Sequence, residues 1–226
     1  MLGLDPARVQ VRLGDTTLPP GSGSGGSIGA CSTGTAVFAA CEEIRRQLCQ
    51  RLECDEAELT LKDGAAITGN RTVPLAEALS GETLSAEGRL EPGDAEQTVR
   101  QATYGSHWAE VGVSSVTGET RVRRMLGVYG AGRILNRKTA RSQCIGGMVW
   151  GIGMALTEEL LHDPRWCTIV NHDFAEYHLA VNADVPQLDA ILLEERDPWA
   201  NPLHAKGIGE LSICGAGAAV LNAIHN

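Results

Sequence analysis

The chain has 226 residues, of which 43% are apolar and 21% are charged, and this composition is typical of a globular protein with one large domain or two lobes. Its formal net charge of −9 excludes a general nucleic-acid binder, which would carry a basic face. No apolar stretch reaches the roughly 18 residues that a membrane span needs. The first residues lack the charged and apolar regions of a signal peptide.

Seven cysteines are spread along the chain without a C-x-x-C pair. An odd number at such spacing argues against a disulfide framework, and also against a structural zinc site or an iron–sulfur cluster held by this chain alone. The cysteines are therefore interpreted as small packing residues. Reducing cytoplasm is the expected compartment, with the periplasm as the alternative.

A glycine- and serine-rich run at residues 21–29 is the first prominent feature. It follows a predicted strand at residues 9–13 and precedes a predicted amphipathic helix at residues 36–52. A run of this kind before a helix is either an anion cradle, because free N–H groups and the helix dipole favour negative charge, or a flexible linker. The G-x-G-x-x-G match within it is not a dinucleotide fingerprint, because Pro19 and Pro20 replace the strand that the fingerprint requires.

The sequence in the middle of the chain predicts short secondary-structure elements. Residues 58–67 form a hairpin around Asp63 and Gly64, a favoured two-residue turn, and residues 74–79 form a short helix. The polar loop at residues 91–97 is the predicted lobe boundary. The chain is accordingly divided into a first lobe, residues 1–100, and a second lobe, residues 101–226.

The second lobe opens with a predicted hairpin at residues 107–129. A helix is predicted from Lys138 to about residue 161, and it contains Gly146, Gly147, Gly151 and Gly153. Each glycine costs about 0.5–1 kcal/mol relative to alanine in a helix, so close packing or a ligand must offset that cost. Gln143 is expected to face inward. Further strands are predicted at residues 168–170 and 190–194, and the histidines lack metal-ligand spacing.

A single acidic residue, Glu210, lies in the glycine-rich turn at residues 206–215, just before an apolar helix predicted at residues 216–224. Gly207 and Gly209 allow close backbone approach or positive φ. A carboxylate near a helix N-terminus is favoured by about 0.3–1 kcal/mol. Glu210 is therefore either an available base or only a helix cap.

Four blocks in this order resemble one known family. They are residues 21–33, the run YGAGRILN at 129–136, the run QCIGG at 143–147, and the run NPLHAKGIGE at 201–210. Together they resemble the C-terminal part of the molybdenum-binding large subunit of xanthine dehydrogenases and aldehyde oxidoreductases. The resemblance implies an α+β fold, with two lobes of mixed β-sheet and packed helices.

The resemblance assigns roles residue by residue. It implies that the loop Gly25, Gly26, Ser27, Ile28 and Gly29 binds the pyranopterin and its phosphate, with further cofactor contacts at Gln143, Lys206 and Gly207. Glu210 matches the catalytic glutamate, which in the family takes the proton from a hydroxyl on molybdenum before oxygen reaches the substrate carbon and hydride passes to a sulfido ligand. No side chain is expected to ligate the metal, because the pterin holds it.

The implied function is oxidation of aldehydes to carboxylic acids, or hydroxylation of N-heterocycles. The implied cofactor is molybdopterin with molybdenum, as the cytosine dinucleotide. The implied partners are the missing N-terminal half of the large subunit, an iron–sulfur subunit and an FAD subunit. Two alternatives remain open at this point: a catalytically silent scaffold fragment of such an enzyme, and a phosphate- or nucleotide-binding module built on residues 21–29.

Overall fold

The computed structural model describes residues 1–91, 93 and 97–226. The chain divides into two compact units. The first comprises Met1–Ser24 and Gly29–Ala95, and the second comprises Gly25–Ile28 and Glu96–Asn226. The loop predicted as the lobe boundary, residues 91–97, lies largely outside the described residues. The division into lobes 1–100 and 101–226 therefore stays a prediction.

The first unit combines a three-stranded antiparallel sheet with two helices. Its elements are α1 (Gly29–Leu52), β1 (Leu59–Lys62), β2 (Ala65–Thr68), β3 (Arg71–Pro74) and α2 (Leu75–Leu79), with the strands in the order β1-β2-β3. Alternation along β1 buries Leu59 and Leu61, and these pack with Leu48 and Cys49 of α1 into one small core.

The predicted hairpin around Asp63 and Gly64 is confirmed. Lys62 pairs with Ala65 across the turn, and both turn residues have positive φ, 51° at Asp63 and 76° at Gly64. Positive φ at both central positions is the pattern of a type I′ turn, which matches the twist of the strands it joins. The short helix predicted at residues 74–79 is also present, as α2.

For the first unit, one predicted strand is absent and one predicted helix is present with an earlier start. Residues 9–13 form no strand, and Val11 and Leu13 are 74% and 82% exposed. Within the described part of the chain no strand pairs with this segment, so periodicity alone does not make an element there. The long helix begins at Gly29, seven residues before its predicted start, although its first turns contain glycine, serine and threonine.

The second unit is built on a mixed sheet, and the predicted α+β class is confirmed. Its elements are β4 (Tyr104–Val113), β5 (Thr120–Gly130), α3 (Arg137–Leu156), β6 (His162–Asp163), β7 (Thr168–Ile169), β8 (Gln187–Leu192) and α4 (Ile213–His225). The antiparallel hairpin β4-β5 is extended by β8, which runs parallel to β5. The core between this sheet and the two helices contains Met125, Tyr129, Cys144, Met148 and Val220.

Close packing between α3 and the start of α4 explains two of the glycines of α3, Gly147 and Gly151. A Cβ at Gly147 would overlap the Ser212 hydroxyl, and a Cβ at Gly151 would overlap the Ala216 side chain. The helix ends at Leu156 rather than at residue 161, because the N–H groups of residues 157 and 158 both donate to the Gly153 carbonyl. No helix within the described part of the chain combines the length and hydropathy that crossing a lipid bilayer requires.

Candidate active site

Glu210 is an exposed residue of the second unit, three positions before the start of α4. Its backbone N–H donates to the Ser27 hydroxyl oxygen at 2.8 Å. The same hydroxyl donates to the Glu210 carboxylate, with 3.5 Å between Oγ and Oε2. One serine therefore holds both the backbone and the side chain of Glu210, which leaves most of the carboxylate open to solvent.

The hydrogen bond between Ser27 and the Glu210 carboxylate argues against the interpretation of Glu210 as only a helix cap. The residue at the N-cap position of α4 is Ser212, and no side-chain capping bond is formed there. The carboxylate lies close enough to the helix N-terminus for the dipole to favour its negative charge, but its observed partner belongs to the loop at residues 25–28. Glu210 is thus attached to that loop.

The segment Gly25–Ile28 is a tight turn. The Ile28 N–H donates to the Gly25 carbonyl at 3.2 Å, and the two central residues have positive φ, 55° at Gly26 and 61° at Ser27. Glycine adopts this backbone freely, whereas serine does so at a cost. The strained conformation at Ser27 points its hydroxyl at Glu210.

Gly207 and Gly209 bring the chain before Glu210 against this turn. A Cβ at 207 would lie 2.8 Å from the Ser27 Cβ and carbonyl oxygen, so no side chain fits there without displacement. At 209 it would lie 3.2 Å from the Ser27 hydroxyl. The expected close approach is present, and neither glycine has positive φ.

Gln143 reaches the same place from α3. Its Nε2 would lie 3.3 Å from a Cβ at Gly209, and its backbone carbonyl accepts a hydrogen bond from the buried Ser212 hydroxyl at 3.3 Å. The side chain is exposed, not turned inward as the sequence pattern suggested. Its amide is therefore available beside the Ser27–Glu210 contact.

Lys206 is placed differently from the other predicted site residues. Its ammonium lies 3.3 Å from the Asp197 carboxylate and 3.6 Å from that of Glu195, and its backbone N–H donates to the Ala131 carbonyl at 2.9 Å. The Tyr104 hydroxyl donates to Glu195 at 2.6 Å. Hydrogen bonds from Tyr104 and from a backbone N–H lower the pKa of Glu195 below its ordinary value.

The structure therefore brings together Ser27, Gln143, Gly207, Gly209 and Glu210 within the second unit. Gly25, Gly26 and Ile28 belong to the same turn, while Gly29 is the first residue of α1 in the first unit. Among the described residues, no group of three or more His, Cys, Asp or Glu side chains is placed to hold a metal ion.

Sequence reasoning missed the carboxylates of Glu195 and Asp197 and the buried Ser212. Their only sequence signal is their position: Glu195 and Asp197 follow the strand β8, and Ser212 immediately precedes α4. Sequence reasoning also missed a partly buried pair beside α4, in which a His107 ring nitrogen and the Tyr129 hydroxyl are 2.9 Å apart. Burial lowers the pKa of the His107 imidazole and raises that of the Tyr129 phenol.

The profile of the molybdopterin cofactor-binding domain family matches residues 1–186 of this chain. The chain belongs to this family. It is a part of the large subunit of the xanthine oxidase family, and the resemblance seen in its sequence blocks is confirmed.

Two curated relatives show how this part fits the whole. The chain is 46% identical over 226 residues to the aldehyde oxidoreductase molybdenum-binding subunit PaoC of Escherichia coli K12, and it covers 31% of that protein. It is 32% identical to the gamma subunit of the 6-hydroxypseudooxynicotine dehydrogenase complex of Paenarthrobacter nicotinovorans and covers 30% of it. Both matches include the full length of this chain, so it spans about a third of these relatives.

Solved structures support the same fold for this family member. The Cu,Mo-CO dehydrogenase superposes with a TM-score of 0.76 at 20% identity, over 92% of this chain and 28% of that one. The aldehyde oxidoreductase of Desulfovibrio desulfuricans gives a TM-score of 0.73 at 24% identity, over all of this chain and 23% of the other. These molybdopterin-domain neighbours establish the fold alone.

Proposed function

We propose that this molybdopterin-binding domain supplies one wall of the active site in an enzyme that oxidises aldehydes to carboxylic acids or hydroxylates N-heterocycles, with Glu210 as the catalytic base. The observation that carries the proposal is the attachment of Glu210 to the loop at residues 25–28. The Ser27 hydroxyl fixes its backbone and one carboxylate oxygen, so the exposed carboxylate is held in place beside a loop of backbone donors.

The residues present fit a hydrogen-bonding pterin cofactor. The turn at Gly25 and Gly26 is open on its outer side, because a Cβ at Gly25 would meet no atom within 4 Å and one at Gly26 only the Ile28 side chain. The exposed amide of Gln143 adds donors and an acceptor to the same place. The backbone at Gly207, which lies against Ser27, completes the proposed set of residues that hold the cofactor, whereas the Lys206 ammonium pairs with Asp197 and Glu195.

The bound molybdopterin, which we propose to be the cytosine dinucleotide, supplies the two-electron oxidation and oxygen transfer at molybdenum. The contribution of the chain is position and proton transfer. The Glu210 carboxylate accepts a proton as the substrate is oxidised, and Ser27 holds the carboxylate in the orientation for that transfer. Side-chain general bases contribute on the order of 10²–10⁴-fold to rate.

The proposal extends to the rest of the enzyme. We propose that iron–sulfur clusters and FAD on partner subunits take the electrons onward, and that the remaining part of the large subunit forms the rest of the substrate channel. Free thiols at Cys41, Cys49, Cys54, Cys144, Cys167 and Cys214 favour a reducing compartment, the cytoplasm.

The Glu210→Gln variant of the complete large subunit, produced with its partner subunits, tests the proposal. The amide keeps the size of the side chain but cannot accept the proton, so aldehyde-dependent dye reduction should fall by about 10²–10⁴-fold. Molybdenum content and the CMP released by acid should be unchanged. The matched control is Glu87→Gln, an exposed glutamate of the first unit that pairs with Arg89, and it should retain full turnover.

Near-normal turnover in Glu210→Gln would remove Glu210 from the role of base. A complete subunit that contains stoichiometric molybdenum but reduces no dye with any aldehyde or N-heterocycle would instead favour the silent scaffold. Acid treatment that releases molybdopterin without CMP would overturn the proposed nucleotide form.

A further inference from the structure

Lys206 is the least exposed partner in a small polar cluster of the second unit. Its side chain is 12% exposed, while those of Glu195 and Asp197 are 25% and 22% exposed. Its ammonium also lies 5.7 Å from the centroid of the Tyr104 ring, a cation–π distance. Charges that are partly removed from water are screened less than those of exposed ion pairs.

Glu195 ties this cluster to the sheet. One oxygen accepts the Gly132 N–H at 2.7 Å, and the other accepts the Tyr104 hydroxyl at 2.6 Å. Tyr104 begins β4, and Gly132 lies just after the end of β5. We name the five residues Tyr104, Gly132, Glu195, Asp197 and Lys206 the Lys206 clamp.

The backbone beside Lys206 is anchored at the same place. The Lys206 N–H donates to the Ala131 carbonyl, and Gly132 and Ala205 form an isolated antiparallel bridge. Beyond this anchor only Gly207, Ile208 and Gly209 separate the clamp from Glu210. Glycines give the backbone little intrinsic rigidity, so the position of Glu210 depends on the anchors at both ends of this short segment.

The far anchor is the Ser27 hydroxyl, which accepts the Glu210 N–H. The near anchor is the clamp. We propose that the Lys206 clamp positions Glu210 by fixing the start of the segment that carries it, so that Lys206, Glu195 and Asp197 are positioning residues. This inference rests on the proposed role of Glu210 as base.

Variants of the complete large subunit in its complex test the clamp. Lys206→Met removes the charge, Lys206→Arg keeps it, and Glu195→Gln removes one counter-charge at constant size. Glu194→Gln is the matched control. Glu194 is next to Glu195 in sequence, but its carboxylate pairs with Arg137 at the surface, where the Glu194 and Arg137 side chains are 83% and 58% exposed. The measurements are kcat, KM for an aldehyde, molybdenum content, and hydrogen exchange of the peptide at residues 203–211.

Lys206→Met and Glu195→Gln should lower kcat by about 10–100-fold, because a small misplacement of a catalytic group has an effect of that order. KM and molybdenum content should stay within about two-fold of wild type, since the clamp acts on position and not on ligand contact. Exchange at residues 203–211 should accelerate in both variants. Lys206→Arg should restore most of kcat, and Glu194→Gln should change nothing.

Unchanged kcat and unchanged exchange in both charge-removing variants would overturn the clamp. Loss of molybdenum from Lys206→Met with normal exchange would overturn it as well, because Lys206 would then contact the cofactor. If Glu210→Gln lowers turnover as proposed and the clamp variants leave kcat and exchange unchanged, only the clamp fails. If Glu210→Gln retains turnover, the proposed base fails whatever the clamp variants show.

Discussion

At the scale of single residues, Ser27 determines the geometry of the candidate site. Its hydroxyl accepts the Glu210 N–H and donates to the Glu210 carboxylate, across 183 positions of sequence. Its φ of 61° is unfavourable for a residue with a side chain. Ser27 adopts the left-handed backbone conformation at a position where its hydroxyl makes two hydrogen bonds to the proposed base.

Replacing Ser27 by alanine should loosen Glu210 without unfolding the unit. The lost hydrogen bond to the backbone is worth about 1 kcal/mol, so the Glu210 amide should exchange about five-fold faster. Turnover should fall while molybdenum content is kept. Ser22→Ala is the control, since the Ser22 hydroxyl is exposed within the same glycine- and serine-rich run; equal effects of the two variants would contradict the assigned role of Ser27.

His107 links the sheet to α4, since a Cβ at Gly215 would lie 2.6 Å from its Nδ1. Burial lowers the pKa of this imidazole, so the folded chain binds the proton less readily than the unfolded chain does. Stability from the neutral form is thus fully present above the ordinary histidine pKa and is lost as the pH falls through the lowered value.

Between about pH 8 and about pH 5 the thermal midpoint of the complete subunit should therefore fall. The fall should be smaller in His107→Gln, which has no proton to gain, than in wild type. Differential scanning fluorimetry across this range measures both slopes. Identical slopes would show that the imidazole does not contribute to the acid sensitivity of the fold.

At the scale of elements, the contact between α3 and α4 determines the position of Glu210. Gly147 and Gly151 let α4 approach until Ser212 and Ala216 touch the backbone of α3. Ser212 is fully buried and donates to the Gln143 carbonyl. The segment carrying Glu210 therefore enters α4 at a fixed point beside Gln143.

Replacing either of two adjacent glycines of α3 by alanine should have opposite effects on stability, because only one of them lies in this contact. Gly147→Ala places its Cβ on the Ser212 hydroxyl and should destabilise the unit by about 1–3 kcal/mol. Gly146→Ala meets no atom within 4 Å and should stabilise it by up to about 1 kcal/mol through helix propensity. Thermal midpoints of the two variants check this prediction; equal shifts would mean that the α3–α4 contact is not tight.

Sequence predicted those elements whose signal is local. The turn at Asp63 and Gly64 and the hairpin β4-β5 follow from turn chemistry and alternation. The parallel pairing of β5 with β8 joins segments about sixty residues apart, and no local pattern encodes it. Residues 9–13 show the converse, because an alternating pattern without a neighbouring strand stays irregular.

The candidate site divides in the same way. Glu210, Gln143 and the loop at residues 25–29 were predicted because their motifs resemble a known family. The hydroxyl bond from Ser27 and the two carboxylates around Lys206 depend on contacts between distant segments, and residue type alone does not indicate them.

At the scale of the whole molecule, the proposed site residues come from three distant parts of the chain. The turn at residues 25–28 is embedded in the sequence of the first unit, but it belongs to the second unit together with Gln143 and Glu210. The chain spans about a third of the relatives it matches. We therefore expect these residues to form one wall of a larger active site.

The most direct test is a molybdenum anomalous difference map from crystals of the complete large subunit. We expect one strong peak beside the Glu210 carboxylate, with pterin density against the backbone of residues 25–28 and the Gln143 amide. A molybdenum peak remote from Glu210, or pterin density that leaves the turn at residues 25–28 untouched, would contradict this expectation.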